Sequence, residues 1–262
     1  MASQSIQHFF HPESGTISYV VADGDTKEAI IIDPVANYDV ETDTISFESA
    51  HEIIDHIESL QLHIVAILET HIHADHLSGS FYLSKYLKAP IYVSEGVKEV
   101  YAQWKDELCL SELYHFEHFL LENEDIEFGH SHLEVMSTPG HTPSDLTFKI
   151  GDALFVGDSL FYHGTGRADF PGGSAEKMFD SIRKLYELKD STDVYLCHNY
   201  PDKIENLHFK TTIGEEKHDN AMLDEITPRD KFVAIREERD VQLPPPKLLK
   251  PALEFNLTAH HS

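Results

Sequence analysis

The stretch Thr70-His71-Ile72-His73-Ala74-Asp75-His76 constrains this chain more than any other. It crowds three imidazoles and a carboxylate directly behind an apolar run, His63-Ile64-Val65-Ala66-Ile67-Leu68. A β-branched run of that length reads as a buried strand. If the chain stays extended beyond it, side chains alternate with period two, so His71, His73 and Asp75 leave the same face and His76 sits where the chain turns. With 19 histidines among 262 residues, the tight spacing, not the residue type alone, favours a metal cradle over a solvated polar turn.

The rest of the chain supplies further donors at strand ends. Ile17-Ser18-Tyr19-Val20-Val21 and Ala29-Ile30-Ile31-Ile32, separated by Asp23-Gly24-Asp25, read as a hairpin running into Asp33-Pro34. Asp33 is either an ordinary turn-former or a group that orients a ligand. Ser49-x-x-Glu52 has capping-box form, and Ile53, Ile54, Ile57 and Leu60 follow at helical spacing, which predicts a helix of about three turns. Residues 77–87 also read as helix. A strand at 133–136 ends in Pro139-Gly140-His141-Thr142; strands at 145–150 and 153–156 lead into Gly157-Asp158; Val194-Tyr195-Leu196-Cys197 ends in His198. A Gly-rich loop over 163–173 precedes a helix from about Ser174, with Met178, Ile182 and Leu185 on one face. Thr227-Pro228 opens another helix, with proline at its first position. Pro244-Pro245-Pro246 begins a C-terminal tail, about 241–262, expected to lie along the surface. No repeat or linker divides the chain, so one domain over 1–262 is expected.

Composition narrows the function. Twenty basic against 46 acidic residues give a formal charge of −26, which repels nucleic acid and anionic membranes. Two cysteines, Cys109 and Cys197, make no disulfide framework or paired-thiolate zinc site, and a reducing compartment is the default. The first ten residues lack a signal-peptide pattern and no stretch reaches membrane-spanning length, so a soluble cytoplasmic protein is expected. A homodimer or higher homo-oligomer stays open.

Nitrogen and oxygen donors without cysteine suit zinc, iron or manganese and argue for an open catalytic site over a closed structural one. At this point the pattern His71-x-His73-x-Asp75-His76, Gly140-His141-Thr142, Gly157-Asp158 and His198, in that order, resembles the metallo-β-lactamase superfamily. The resemblance implies an α/β (α+β) chain folded as a four-layer αβ/βα sandwich, two mixed sheets with helices outside and metal at one edge. It also implies one metal position at His71, His73 and His141, a second at Asp75, His76 and His198, and Asp158 between them. True β-lactamases are exported and replace the bridging aspartate, which this chain keeps.

Gly164-Thr165-Gly166-Arg167-Ala168-Asp169-Phe170 resembles the Gly-Arg-x-Asp-Phe loop of persulfide dioxygenases, and the segment Thr211 to Lys217 with Asn220 resembles their short C-terminus. That branch implies one Fe(II) on His71, His141 and Asp158, with His73, Asp75, His76 and His198 orienting water and ligands. Its substrates are glutathione persulfide and molecular oxygen, and its products sulfite and glutathione. The alternative is a glyoxalase-II-like hydrolase of glutathione thioesters with a dinuclear zinc, iron or manganese site. A catalytically inactive binding module is a third class.

Asp75, Arg167 and Tyr200 are the candidate catalytic or substrate-binding groups. Arg167 has the planar fork that grips a carboxylate, here that of glutathione, its other reading being an ion pair with Asp169. Tyr200 offers a hydroxyl to substrate, or is buried and satisfied by backbone. Cys197 is expected to point away from the metal into the core. His260 and His261 read as a tail and not as ligands, and His115 and His118 as structural.

Overall fold

The computed structural model describes residues 4–260. The first half runs β1 (Gln4–His11), β2 (Thr16–Asp23), β3 (Glu28–Ile32), β4 (Val35–Asp39), β5 (Thr44–Ser46), α1 (Glu48–Leu60), β6 (His63–Leu68), β7 (Leu77–Ser78), α2 (Ser80–Leu87), β8 (Ile91–Ser94), α3 (Val97–Trp104) and β9 (His118–Leu120). The second half runs β10 (Asp125–Phe128), β11 (Ser131–Ser137), β12 (Leu146–Ile150), β13 (Ala153–Val156), α4 (Ala175–Tyr186), β14 (Asp193–Leu196), β15 (Lys210–Thr212), α5 (Ile213–Asp219), α6 (Arg229–Asp240) and α7 (Leu249–Thr258).

Two six-stranded mixed sheets result, ordered β1-β2-β3-β6-β8-β9 and β10-β11-β12-β13-β14-β15, with a small β5-β4-β7 sheet beside the first. In the first sheet the β3, β6, β8 and β9 pairings are parallel; in the second only β13 with β14 is. Alternation along the strands sets the layers. In β2, Ile17, Tyr19 and Val21 face Phe148, Ile150 and Phe155 of the other sheet, while Val20 and Ala22 face Ile53 and Ile57 of α1. In β13, Phe155 points inward and Leu154 and Val156 pack under Met178 and Ile182 of α4. Because both faces are covered, every residue of β2 is buried. This is the αβ/βα sandwich that the motif order implied.

Local differences have local causes. The capping box does not form: α1 starts at Glu48, and Ser49 lies inside the first turn with its N–H donating to Asn37 Oδ1 at 2.9 Å, so β4 supplies the cap. In α6, Pro228 occupies the capping position, one residue outside the expected place. The helix expected over 77–87 begins only at Ser80, because Leu77 and Ser78 pair with β4. The largest difference is at the C-terminus, where the expected surface tail contains α7, with Ala252, Leu253 and Leu257 all at most 3% exposed. Burying Leu253 and Leu257 contributes roughly 1.5–3 kcal/mol each, enough to hold the helix down. His260 is exposed; His261 lies outside the described residues.

Asp23, at the end of β2, ties the two sheets at the edge away from the histidines. It accepts from Thr26 N and Oγ1 and Asp25 N, and across to Ser131 Oγ at 2.9 Å and His130 N at 3.1 Å. Burial alone would raise its pKa, but the bonds from Thr26, Ser131 and Asp25 outweigh it and lower it from 3.8 to about 2. Its stabilisation is therefore full above the unfolded value and lost as pH falls through the folded one. Asp23→Asn should flatten the part of the urea-stability profile that falls between pH 3.8 and about 2; an unchanged acid limb would contradict the linkage.

Candidate metal centre

The donors gather where strands of both sheets end. β6 stops at Leu68, and residues 69–76 form an irregular loop in place of the extended continuation expected from the sequence. Its course is fixed by backbone bonds: Asp33 N donates to Leu68 O at 2.9 Å, and Leu146 N donates to Thr70 O at 2.8 Å. On the far side Ile17 N donates to Cys197 O at 2.7 Å, bringing His198 against β2. The two sheets are thus joined by main-chain bonds at the edge that carries the site.

All seven histidines and aspartates named above come together there. His71, His141 and Asp158 form one group able to hold an ion, and His73, Asp75, His76 and His198 another. Asp158 lies between them, with Oδ2 3.6 Å from His141 Nε2 and Oδ1 3.4 Å from His198 Nε2. His73 lies between the two groups, its ring centroid 4.0 Å from that of His71 and 4.2 Å from that of His76. Gly157 is required by this crowding, since a Cβ there would sit 2.8 Å from Thr70 Oγ1 and 3.1 Å from His71 Nδ1.

The orientation of each ring follows from its outer nitrogen. His141 Nδ1 donates to Arg167 O at 2.8 Å. Thr16 Oγ1 lies 3.2 Å from His76 Nδ1 and 3.4 Å from His198 Nδ1, and Thr70 Oγ1 3.0 Å from His71 Nδ1. His73 Nε2 lies 3.2 Å from Asp33 Oδ1 and 3.3 Å from Glu69 Oε2. The inner atoms His71 Nε2, His73 Nδ1, His76 Nε2, His198 Nε2 and Asp158 Oδ1 are buried without a hydrogen-bond partner. Buried polar atoms are ordinarily paired, so imidazole nitrogens and a carboxylate oxygen converging unpaired fit a nitrogen- and oxygen-liganded metal ion. Burial, with the neighbouring His73 and His141, holds the His71 pKa well below 6.5 and keeps it in the neutral form a ligand needs.

Asp33 belongs to the outer layer of this site. It accepts from Thr70 N at 2.7 Å and Thr70 Oγ1 at 2.8 Å; burial would raise its pKa, but His73 and Thr70 outweigh it and lower it. Cys197 does not point away from the metal site into apolar core as expected: its Sγ lies 3.6 Å from Asp33 Oδ2 and groups with Asp33 and His73 and with Asp158 and His198. Burial and the nearby carboxylates push the thiol pKa well up, which disfavours the thiolate a ligand needs. Asn256 of α7, 3% exposed, donates to His73 O and His76 O, each at 2.9 Å, and accepts from Ser78 N at 2.7 Å. Thr16, Glu69 and Asn256 escaped the sequence reading; a single serine, threonine, glutamate or asparagine carries no spacing signal that could have found them.

A cavity of about 540 Å³ opens over Asp75, His141 and Asp158, walled by Phe161, Thr165, Phe170 and the segment around Pro244. Tyr200 stands at its side, 69% exposed, so the buried alternative is excluded; its ring is parallel to that of His198 with centroids 6.0 Å apart. Arg167 also borders the cavity, but both arms of its fork are on Asp169, at 2.6 and 2.8 Å, and a third nitrogen donates to Pro244 O at 2.8 Å. The ion-pair reading of Arg167 is thus the one observed.

A profile of the metallo-beta-lactamase superfamily matches residues 12–198, which include every donor described above. The chain belongs to the metallo-β-lactamase superfamily. Within it, a Dictyostelium discoideum protein named Glyoxylase B2 is 38% identical over 263 residues, 97% of this chain and 90% of that protein. A beta-lactamase hydrolase-like protein of Xylella fastidiosa is 38% identical over 96% of this chain, which spans only 60% of its length. The mitochondrial persulfide dioxygenase ETHE1 of Bos taurus is 30% identical over 96% of this chain and 87% of its own length. A crystal structure of ETHE1 from Myxococcus xanthus superposes with a TM-score of 0.81 at 28% identity, covering 98% of this chain and all of that one. No helix among the described residues is long and apolar enough to cross a membrane.

Two side chains that brace the donors from outside, Asp33 against Thr70 and His73 and Asn256 against the carbonyls of His73 and His76, make a direct test. Asp33→Asn and Asn256→Ala should each weaken metal affinity by about 10- to 100-fold in chelator competition, the range for lost outer partners. Retention of wild-type affinity by both would separate these contacts from metal binding.

Proposed function

We propose that the chain is a mononuclear iron dioxygenase that oxidises glutathione persulfide. The persulfide, dioxygen and water give sulfite, glutathione and two protons. The observation that carries this reading is the distinct group His71, His141 and Asp158, two imidazoles and one carboxylate on one side of the cavity. Similarity to a named persulfide dioxygenase over 96% of the chain supports it, as does the loop Gly164 to Phe170. His71, His141 and Asp158 would hold the iron, and Fe(II) there would supply the redox chemistry that lets dioxygen oxidise sulfur.

The remaining residues act on water and protons. Burial disfavours charge on Asp75, but His198 and His76 outweigh it and hold its pKa well below the usual range, so Asp75 stays an acceptor beside the cavity. With His198 Nε2 at 3.5 Å, it can orient the water that the reaction consumes by accepting a hydrogen bond from it. Phe161 and Phe170 line the cavity and limit the access of other water to the sulfur. Tyr200 borders the same cavity, and its hydroxyl is the group proposed to contact the substrate.

The group His73, Asp75, His76 and His198 favours a second reading, a two-metal hydrolase of glutathione thioesters. These residues would hold a second metal beside the first, and the pair would supply the Lewis acidity that thioester hydrolysis by water needs. Metal analysis after anaerobic purification, with oxygen uptake on glutathione persulfide run beside hydrolysis of lactoylglutathione, separates the two. The expected result is one iron per chain, oxygen uptake, and no thioester hydrolysis. Asp158→Ala should lose iron and all activity, while Asp75→Ala keeps most of the iron. Two metals per chain, halved by Asp75→Ala, would replace the dioxygenase with the hydrolase.

A further inference from the structure

Four cationic side chains border the cavity: Arg167, Arg236, Arg239 and Lys247. Two are already neutralised. Arg167 is engaged by Asp169 and Pro244 O, and Arg236, 2% exposed, donates to Asp240 at 2.6 Å. Arg239 and Lys247 have no side-chain hydrogen bond or ion pair among the described residues. In a chain with 46 acidic residues, two unpaired cations on the wall of one cavity are conspicuous.

Their backbone is held at both ends. Asp240 Oδ2 accepts from Ala168 N at 2.9 Å, fixing the end of α6 to the Gly-rich loop, and Arg167 fixes residue 244, three positions before Lys247. A wall built in this way does not lose backbone entropy when an anion arrives. Glu13 contributes a largely exposed carboxylate to the same cavity, with one oxygen 3.2 Å from His11 Nε2, whose pKa burial lowers. Cations together with a carboxylate suit a zwitterion carrying carboxylates and an ammonium, and disfavour a polyphosphate, which Glu13 would repel. About 540 Å³ is also within the range for a small-molecule site.

We propose that Arg239 and Lys247 form the carboxylate-recognition wall of this cavity, gripping the carboxylates of a small peptide thiol whose sulfur reaches the metal centre, while Arg167 positions the wall without touching substrate. This rests on the glutathione reading above, but not on whether the sulfur is oxidised or its thioester hydrolysed. Arg239 supplies the planar fork and Lys247 a point charge, so Arg239 dominates the discrimination.

The test is calorimetric binding of S-methylglutathione to the metal-loaded protein, since this ligand is neither a persulfide nor a thioester and undergoes neither reaction. Arg239→Gln and Lys247→Gln should each raise Kd by about 10- to 100-fold, the loss of one charge-assisted pair, with metal content unchanged. The glycyl ethyl ester of the ligand should bind the wild type more weakly by a similar factor. Combined with the variant that contacts that carboxylate, it should cost little more, because the pair is already broken. Wild-type binding by either variant, full additivity of the ester with both, no binding of S-methylglutathione to the wild type, or preference for S-methyl coenzyme A would overturn the proposal. A protein that proved to be a hydrolase would leave all these binding results as expected.

Discussion

The carboxylate of Asp33 is the contact on which the site's construction depends. It lies just beyond β3 with its backbone in the left-handed region, φ 49°, and in that position touches three parts of the molecule at once. It fixes the start of the metal loop through Thr70, approaches His73 Nε2, and reaches Cys197 beside His198. A buried carboxylate is tolerated only when its lone pairs are met, so the strand end, the loop and the second sheet have one arrangement in which Asp33 is satisfied. That arrangement leaves the inner imidazole nitrogens facing one another.

Much of this was legible from residue order. Strands such as β3, β6, β13 and β14 are short, apolar and bounded by turn residues, and the His or Asp after each marks the edge where they converge. The path of the loop was less legible, because alternation is a property of extended chain and 69–76 is not extended; main-chain bonds from Asp33 and Leu146 bend it instead. Residues that act singly at long range, Thr16 between two imidazoles and Asn256 beneath the loop, have no periodicity to betray them. The triple proline before α7 reads as the start of a surface tail, but proline ends structure only locally and the helix resumes at Leu249.

Arg167 shows the limit of reasoning from residue type. An arginine beside an aspartate two residues away in a loop has its counter-ion supplied by the chain itself, and the observed fork geometry is the strong bidentate form. Strong acidity therefore does more than keep the surface solvated. It supplies counter-ions to cations such as Arg167 and Arg236, so an arginine on the cavity wall is not by that fact available to substrate.

The clamp from Asn256 also has a consequence in time. It reaches His73 and His76 across 183 and 180 residues of sequence. At a synthesis rate of about 5–20 residues per second, the histidine loop waits on the order of ten to forty seconds before the residue that fixes its carbonyls exists. During that interval the strands on either side can already be paired while the loop between them still lacks its floor. The nascent chain therefore passes through a stage in which its donors are present but not yet held, and the metal centre is complete only after residue 256 has been made.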